Sequence, residues 1–250
     1  MPGARGPGER LIEGALAALA KALDSTKTRW MIIGGIAVIA HGVRRMTTDI
    51  DAVLVGGTLD LRVLVEIMAK HKISPRIGAA AEFARANQVL LLRHDPTGIE
   101  LDVSFAWTSF ELEALERCRP ARFGDVTAPM ARPDDLVIFK AMAARSRDIE
   151  DASTLLMMYA DIDLARVRRH LHDLATLADE PILEAGLETI IAATRQLKPA
   201  RSVKPSPPRK PPRSRPPVKK QQTTTSKRAR PTKPKRPSAS KRKPARSKRR

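Results

Sequence analysis

The sequence of 250 residues predicts an α/β (α+β) fold: a sheet flanked by helices, then a helical domain, then a disordered basic tail. Three observations predict it. Short apolar runs alternate with helix-period segments in the first half of the chain. From Pro133 to about Thr194 the apolar spacing is helical. From about Leu197 the composition shifts to Lys, Arg, Pro and Ser. The expected boundaries are therefore an α/β domain over residues 1–130, a helical domain over 131–197 and a tail over 198–250.

Residues 1–8 are rich in Gly and Pro and are expected to be loose. Glu9 to Asp24 is built of good helix formers. Its acids and Lys21 exclude a signal peptide, whose apolar segment lacks charge. Arg29 to Ile33 is a short apolar run stopped by Gly34 and Gly35, which predicts a buried strand. Ile36 to Gly42 fits a short helix, and Thr48 to Val55 a second strand closed by Gly56 and Gly57. Leu59 to Lys70 places Leu61, Val63, Leu64, Ile67 and Met68 at helical spacing. Residues 79–87 are weakly helical. "HDPTG" separates two apolar runs and predicts a hairpin pairing Val89–Arg93 with Ile99–Phe105. A helix follows over Ser109–Cys118, and Phe123–Met130 has room for two short strands. Pro133, Asp134 and Asp135 make a helix start, because proline suits the first turn and acids favour its positive end. Breaks in the helical block are expected near Arg147, Asp161 and Pro181.

The formal net charge of +19 is not a property of the whole chain. Of the 46 Lys and Arg, 21 lie in residues 201–250, where there is no acid. That leaves 25 basic against 27 acidic residues before the tail, a balance of −2. A uniformly basic nucleic-acid binder is thereby excluded. The tail buries too little apolar surface to offset its ordering entropy. It has no aromatic residue on which bases could stack, so it is expected to bind RNA or DNA through the phosphate backbone, with strong salt dependence and little sequence preference. A single cysteine, Cys118, excludes an intramolecular disulfide. No apolar run reaches the ~20 residues of a membrane span. A soluble, cytoplasmic protein is expected.

The chemistry is concentrated in two strands. Asp49 and Asp51 are two residues apart, so period two puts both on one strand face, with Cα atoms roughly 6–7 Å apart. That spacing suits a hard cation such as Mg2+ (or Mn2+), which takes oxygen ligands. Asp102, in "IELDVSF", is the candidate third carboxylate, with Glu100 on its face. Acids gathered on one sheet repel unless a cation is present. Gly34 and Gly35 permit close backbone approach between strand and helix. Neither a G-x-G-x-x-G nor a G-K-[ST] phosphate loop is present. His41 is expected to pack or cap, Trp30 and Trp107 to be core, and His170 and His172 to be solvated.

The stretch "GGIAVIAHGVRRMTTDIDAVLV" resembles the polymerase-beta-type nucleotidyltransferase superfamily: an apolar strand, G-G, a short helix, then D-x-D on the next strand. Its fuller form is similar to the branch of AbiEii-type toxins and small antibiotic-modifying nucleotidyltransferases. "RPDDLVIFKAMAARSRDIEDASTLL" (Arg132 to Leu156) adds a second matching block, aligning Lys140, Arg147, Asp148 and Asp151. The resemblance covers roughly residues 28–160 and implies a mixed sheet flanked by helices. It implies a nucleoside triphosphate as substrate and a divalent cation, with a nucleoside monophosphate passed to an acceptor and pyrophosphate released. Asp49, Asp51 and Asp102 would hold metal, with Asp102 also the base. Gly34, Gly35, Arg45, Thr47 and Lys140 would serve the nucleotide. Asp148 and Asp151 would hold Arg147 or neighbouring helices. The toxin side of the branch would bring an antitoxin partner. Two readings follow. One is an active enzyme whose acceptor is tRNA or other RNA, a protein or a small molecule. The other is a non-catalytic nucleic-acid-binding protein on a decayed scaffold.

Overall fold

The computed structural model of the protein describes residues 6–57, 60–180 and 182–197. The basic tail and residues 1–5 lie outside the described residues. Along the chain come α1 (Pro7–Ser25), β1 (Trp30–Ile32), α2 (Gly34–Ala40), β2 (Asp49–Val55), α3 (Leu61–Lys70), β3 (Ile73–Pro75), α4 (Ala80–Asn87), β4 (Val89–His94), β5 (Glu100–Ala106), α5 (Ser109–Arg117), β6 (Arg119–Phe123), β7 (Val126–Met130), α6 (Pro133–Ala143), α7 (Ser146–Met158), α8 (Leu164–Ala178) and α9 (Ile182–Leu197). Among the described residues seven strands form one mixed sheet, in the order β3-β4-β5-β2-β1-β7-β6. β2 runs parallel to β5 and β1 parallel to β7, and the other neighbours are antiparallel.

Helix α1 forms because Ile12, Leu16, Leu19 and Leu23 recur at helical spacing and are buried. It begins at Pro7, earlier than its composition suggests, with proline in the first turn where its missing N–H costs nothing. In β5 the alternation is regular: Leu101, Val103 and Phe105 are buried, while Glu100, Asp102 and Ser104 face the other side. In β2, Ile50, Ala52 and Leu54 are buried on one face. The opposite face carries Asp49 and Asp51 at its start and the buried Val53 beyond them. The acids therefore occupy the uncovered end of a face whose other end is core. Helix α5 is fixed at its start by a reciprocal capping box between Thr108 and Glu111.

Several expectations are corrected. β3 is missed by the sequence pattern because three residues at a sheet edge carry no periodicity. β6 starts at Arg119, four residues earlier than expected, and pairs with β7 as a hairpin. The first helical break, expected near Arg147, is centred slightly earlier, because Ala144 takes a left-handed conformation (φ 48°) that ends α6. Residues of that kind at a helix end are usually Gly or Asn, so nothing in the sequence marks it. Trp107 is 60% exposed and is not core, whereas Trp30 is buried and donates from Nε1 to Asp24 Oδ1 at 2.9 Å. His170 is not solvated: it packs on Phe110 and reaches Glu113 at 3.2 Å. His41 behaves as expected, closing α2 with its Nε2 2.8 Å from Ala131 O. Tyr159 Oη donates to His41 O at 3.0 Å, tying α7 to that turn. No helix among the described residues is long and apolar enough to cross a membrane.

The helical block packs tightly where α9 crosses α6. Gly186 is buried, and a methyl group built on it would overlap Ala141 O of α6. Gly186→Ala would gain about 1 kcal/mol of helix propensity, but backbone overlap typically costs 1–3 kcal/mol. The clash is against main chain, which cannot yield as a side chain would, so the net sign should be destabilising. Chemical denaturation should give a lower midpoint for Gly186→Ala than for wild type; a raised midpoint would show that the helices separate freely.

Candidate active site

The parallel pairing of β2 and β5 sets the geometry of the site. Its register puts Asp51 directly opposite Asp102, and Asp49 opposite Glu100. Parallel neighbours in register share a face, and adjacent strands lie ≈ 4.8 Å apart. Four carboxylates thus occupy one small area. The electrostatics record it. Asp51 is pushed up from the ordinary carboxylate value to about 6, first by burial, then by the charges of Asp49 and Asp102, and only partly offset by Lys140 and Arg145. Asp102 is also raised, by burial, against the opposing effect of Arg76. The structure therefore brings together the three acids that the sequence singled out.

The two glycines serve the same spot. Gly34 has a φ of +60°, and a methyl group there would overlap Asp51 Oδ2. A methyl group on Gly35 would overlap Thr47 Oγ1. The pair exists so that Asp51 and Thr47 can lie against the main chain. Thr47 in turn donates from Oγ1 to Asp49 Oδ1 at 2.8 Å, orienting that carboxylate.

Opposite the acids, the start of α7 and the last turn of α6 supply cations. Lys140 is not a solvent-facing lysine: it is 7% exposed, and its Nζ lies 2.7 Å from Asp148 and 3.0 Å from Asp151. Arg45 also binds Asp151, and Arg145 binds Asp148 at 2.8 Å. So Asp148 and Asp151 hold Lys140 of the neighbouring helix α6, Arg45 and Arg145; of the two expected roles, holding neighbouring helices is the one seen, and not holding Arg147. Arg147 is exposed. A cavity of about 290 Å³ runs between the two sides, lined by Gly35, Arg45, Asp49, Asp51, Lys140, Arg145, Arg147 and Asp148. A larger hollow of about 510 Å³ lies at the other end of β2, around Val55, Leu61 and Gln88. Its one acid, Asp60, is committed to capping α3, so it lacks the converging charges of the smaller one.

Sequence reasoning missed Arg76 and Arg145. Arg76 follows β3 and bridges Glu100 (2.6 Å) and Asp102. Arg76 lies in no periodic or motif context that would mark it, whereas Arg145 opens the "RSRD" of the second matching block, where the alignment favours Arg147 instead.

A divalent cation fits this donor set. The carboxylates are oxygen ligands of the kind Mg2+ takes, and Asp51, raised first by burial and then by the charges of Asp49 and Asp102, is an acid whose ionised form a bound cation would favour. No group of three or more His, Cys, Asp or Glu among the described residues is already gathered as a metal cluster. The reason is visible in the contacts. Asp49 is turned to Thr47, Asp51 rests on Gly34, and Asp102 is held by Arg76.

The family model described as "Nucleotidyltransferase of unknown function (DUF6036)" matches residues 10–185. No curated protein matches the chain. Among solved structures, the antibiotic-resistance factor ANT(2'')-Ia is similar with 17% identity and a TM-score of 0.45, covering 75% of this chain and 95% of that one. JHP933 from Helicobacter pylori gives 13% identity and a TM-score of 0.42, covering 77% and 96%. An antigenic nucleotidyltransferase-like protein from Paracoccidioides brasiliensis gives 17% and 0.42, covering 70% and 92%.

The electrostatics of Asp51 set a stability test. Its folded pKa of about 6 exceeds the ordinary 3.8, so between those values the native state binds more protons than the unfolded state. Stability then falls as pH rises through that window. Full ionisation costs at most roughly 3 kcal/mol, at 1.36 kcal/mol per unit. In EDTA at pH 7, Asp51→Asn should melt several degrees above wild type, and the gap should close towards pH 4. Added Mn2+ should raise wild type alone. A less stable Asp51→Asn at pH 7 would contradict the charge assignment; differential scanning calorimetry reads both.

Proposed function

The chain belongs to this nucleotidyltransferase family, and we propose that it transfers a nucleoside monophosphate from a nucleoside triphosphate to an acceptor hydroxyl. The observation that carries the proposal is the register of β2 and β5, which faces Asp51 with Asp102 beside a cleft walled by basic residues. Asp49 and Asp51, with help from Asp102, would hold a divalent cation, which when bound neutralises charge on the transferring phosphoryl group. Lys140, Arg45, Arg145 and Arg147 border the space for the triphosphate. Arg145 and Arg147 are exposed, and Arg145's partner Asp148 is shared with Lys140, so a phosphate oxygen could be met without leaving that acid unpaired. Gly34 and Gly35 let Asp51 and Thr47 lie against the main chain at the edge of this space.

The reaction needs little covalent chemistry from the protein, since phosphoryl transfer rests on positioning and charge stabilisation. The acceptor oxygen attacks the α-phosphorus, the bond to the β-phosphate breaks, and pyrophosphate leaves. The acceptor's proton passes to the Asp102 carboxylate. Burial raises the proton affinity of Asp102, which favours that role. The acceptor is an RNA, a protein or a small hydroxylated molecule. For a nucleic acid, residues 201–250 would concentrate it electrostatically. The reading as a non-catalytic nucleic-acid binder draws its support from Arg76, which sits on Asp102 where a catalyst needs a free base.

Incubation with α-labelled nucleoside triphosphates, Mg2+ or Mn2+, and RNA, protein or small-molecule acceptors tests the proposal. Wild type should label one acceptor class, and Asp49→Ala should lower the rate by at least about a hundredfold. Identical behaviour of the two in every assay would overturn it. Removal of residues 199–250 should weaken transfer to a nucleic acid and leave transfer to a small molecule intact.

A further inference from the structure

Arg76 is the residue of the site that the proposed reaction does not use. It emerges from the short edge strand β3, and its main-chain N–H is anchored to Leu91 O at 3.0 Å. From there its guanidinium reaches across β4 and β5. Nη1 donates to Glu100 Oε2 at 2.6 Å and Nη2 to Asp102 Oδ1. The side chain is 22% exposed, yet its Nε is sequestered without any hydrogen-bond partner. An arginine fixed there only for stability would be expected to satisfy that donor, since a buried unpaired N–H is costly. Among the described residues it is also the cation that forms ion pairs with members of the Asp49, Asp51, Glu100 and Asp102 group; Lys140 and Arg145 are instead paired with Asp148 and Asp151.

We propose that Arg76 is an internal cation that competes with the divalent metal for Asp102. It is a positioning residue that keeps the carboxylate face assembled before metal arrives and sets the affinity with which metal completes it. This inference rests on the proposed function. A guanidinium hydrogen-bonded to Asp102 Oδ1 and a dication held by the same carboxylate would draw on the same negative charge, and their own charges repel. The hold of Asp102 on a metal is therefore weaker while the Arg76 guanidinium stays, and stronger when it moves aside. The exposure of Glu100, 58% at its side chain, gives the guanidinium a solvent-side anchor to retain when it moves.

Binding of Mn2+ to the full chain, followed by the electron paramagnetic resonance signal of free Mn2+, tests this without any turnover. Arg76→Gln should bind Mn2+ at least about tenfold more tightly than wild type, because a full positive charge next to the site is removed. Arg76→Lys, which keeps the charge but cannot bridge two carboxylates, should fall between. If Arg76→Gln does not fold, Arg76→Lys decides: without the two-armed hold on Asp102 it should still bind Mn2+ more tightly than wild type. Unchanged affinity in these variants, with binding lost in Asp51→Asn, would overturn the competition and leave the proposed function standing. Binding that survives in Asp51→Asn would instead overturn the metal assignment on which the proposed function depends.

Discussion

Like-charge repulsion on one face of a sheet is the constraint around which this protein is organised. Parallel pairing in register places Asp51 against Asp102 and Asp49 against Glu100. At such spacing the carboxylates cannot all ionise freely without a counter-charge. Asp51 shows the strain most, because it is the most enclosed of the three sequence-chosen acids and has two of the others for neighbours. A fold selected for stability alone would place apolar residues there, as β2 does two residues later with Val53. Acids at that position fit the cation proposed to bind there.

The surroundings fit that constraint. Gly34 and Gly35 give up side chains so that Asp51 and Thr47 can press against the main chain. Across the cleft, Lys140, Arg45 and Arg145 share Asp148 and Asp151. This network lets α6 and α7 bring cations to within electrostatic reach of Asp51 while each remains paired. Buried ion pairs stabilise little on balance, because desolvation offsets the attraction. Their value here lies in holding basic groups at a defined distance from the acids. Arg76 performs the complementary task on the far side, at Asp102.

Much of this was legible in the sequence. Period two put Asp49 and Asp51 on one face, and the apolar neighbours of Asp102 marked it as a strand residue with an acid pointing outward. What the sequence could not supply was that β5 lies next to β2, since strand order depends on long-range packing. The "HDPTG" hairpin was visible because Pro and Gly punctuate it, and its partner strands fall as β4 and β5. β3 was invisible at three residues, and with it Arg76, whose importance comes only from what lies across the sheet. Lys140 and Arg147 were assigned by motif alignment alone; spacing along a helix does not say which lysine or arginine an aspartate will hold. Ala144 ends a helix in a conformation that its identity does not advertise.

The central claim is that Asp49 and Asp51 grip a divalent cation on the β2 edge of the cleft. A crystal of the chain grown with Mn2+ and a non-hydrolysable nucleoside triphosphate, measured for anomalous scattering, tests it most directly. The account predicts an anomalous peak within about 2.0–2.3 Å of carboxylate oxygens of both Asp49 and Asp51, with the triphosphate lying towards Arg145 and Arg147. A nucleotide bound elsewhere, or bound in the cleft with no metal between it and these two aspartates, would contradict it.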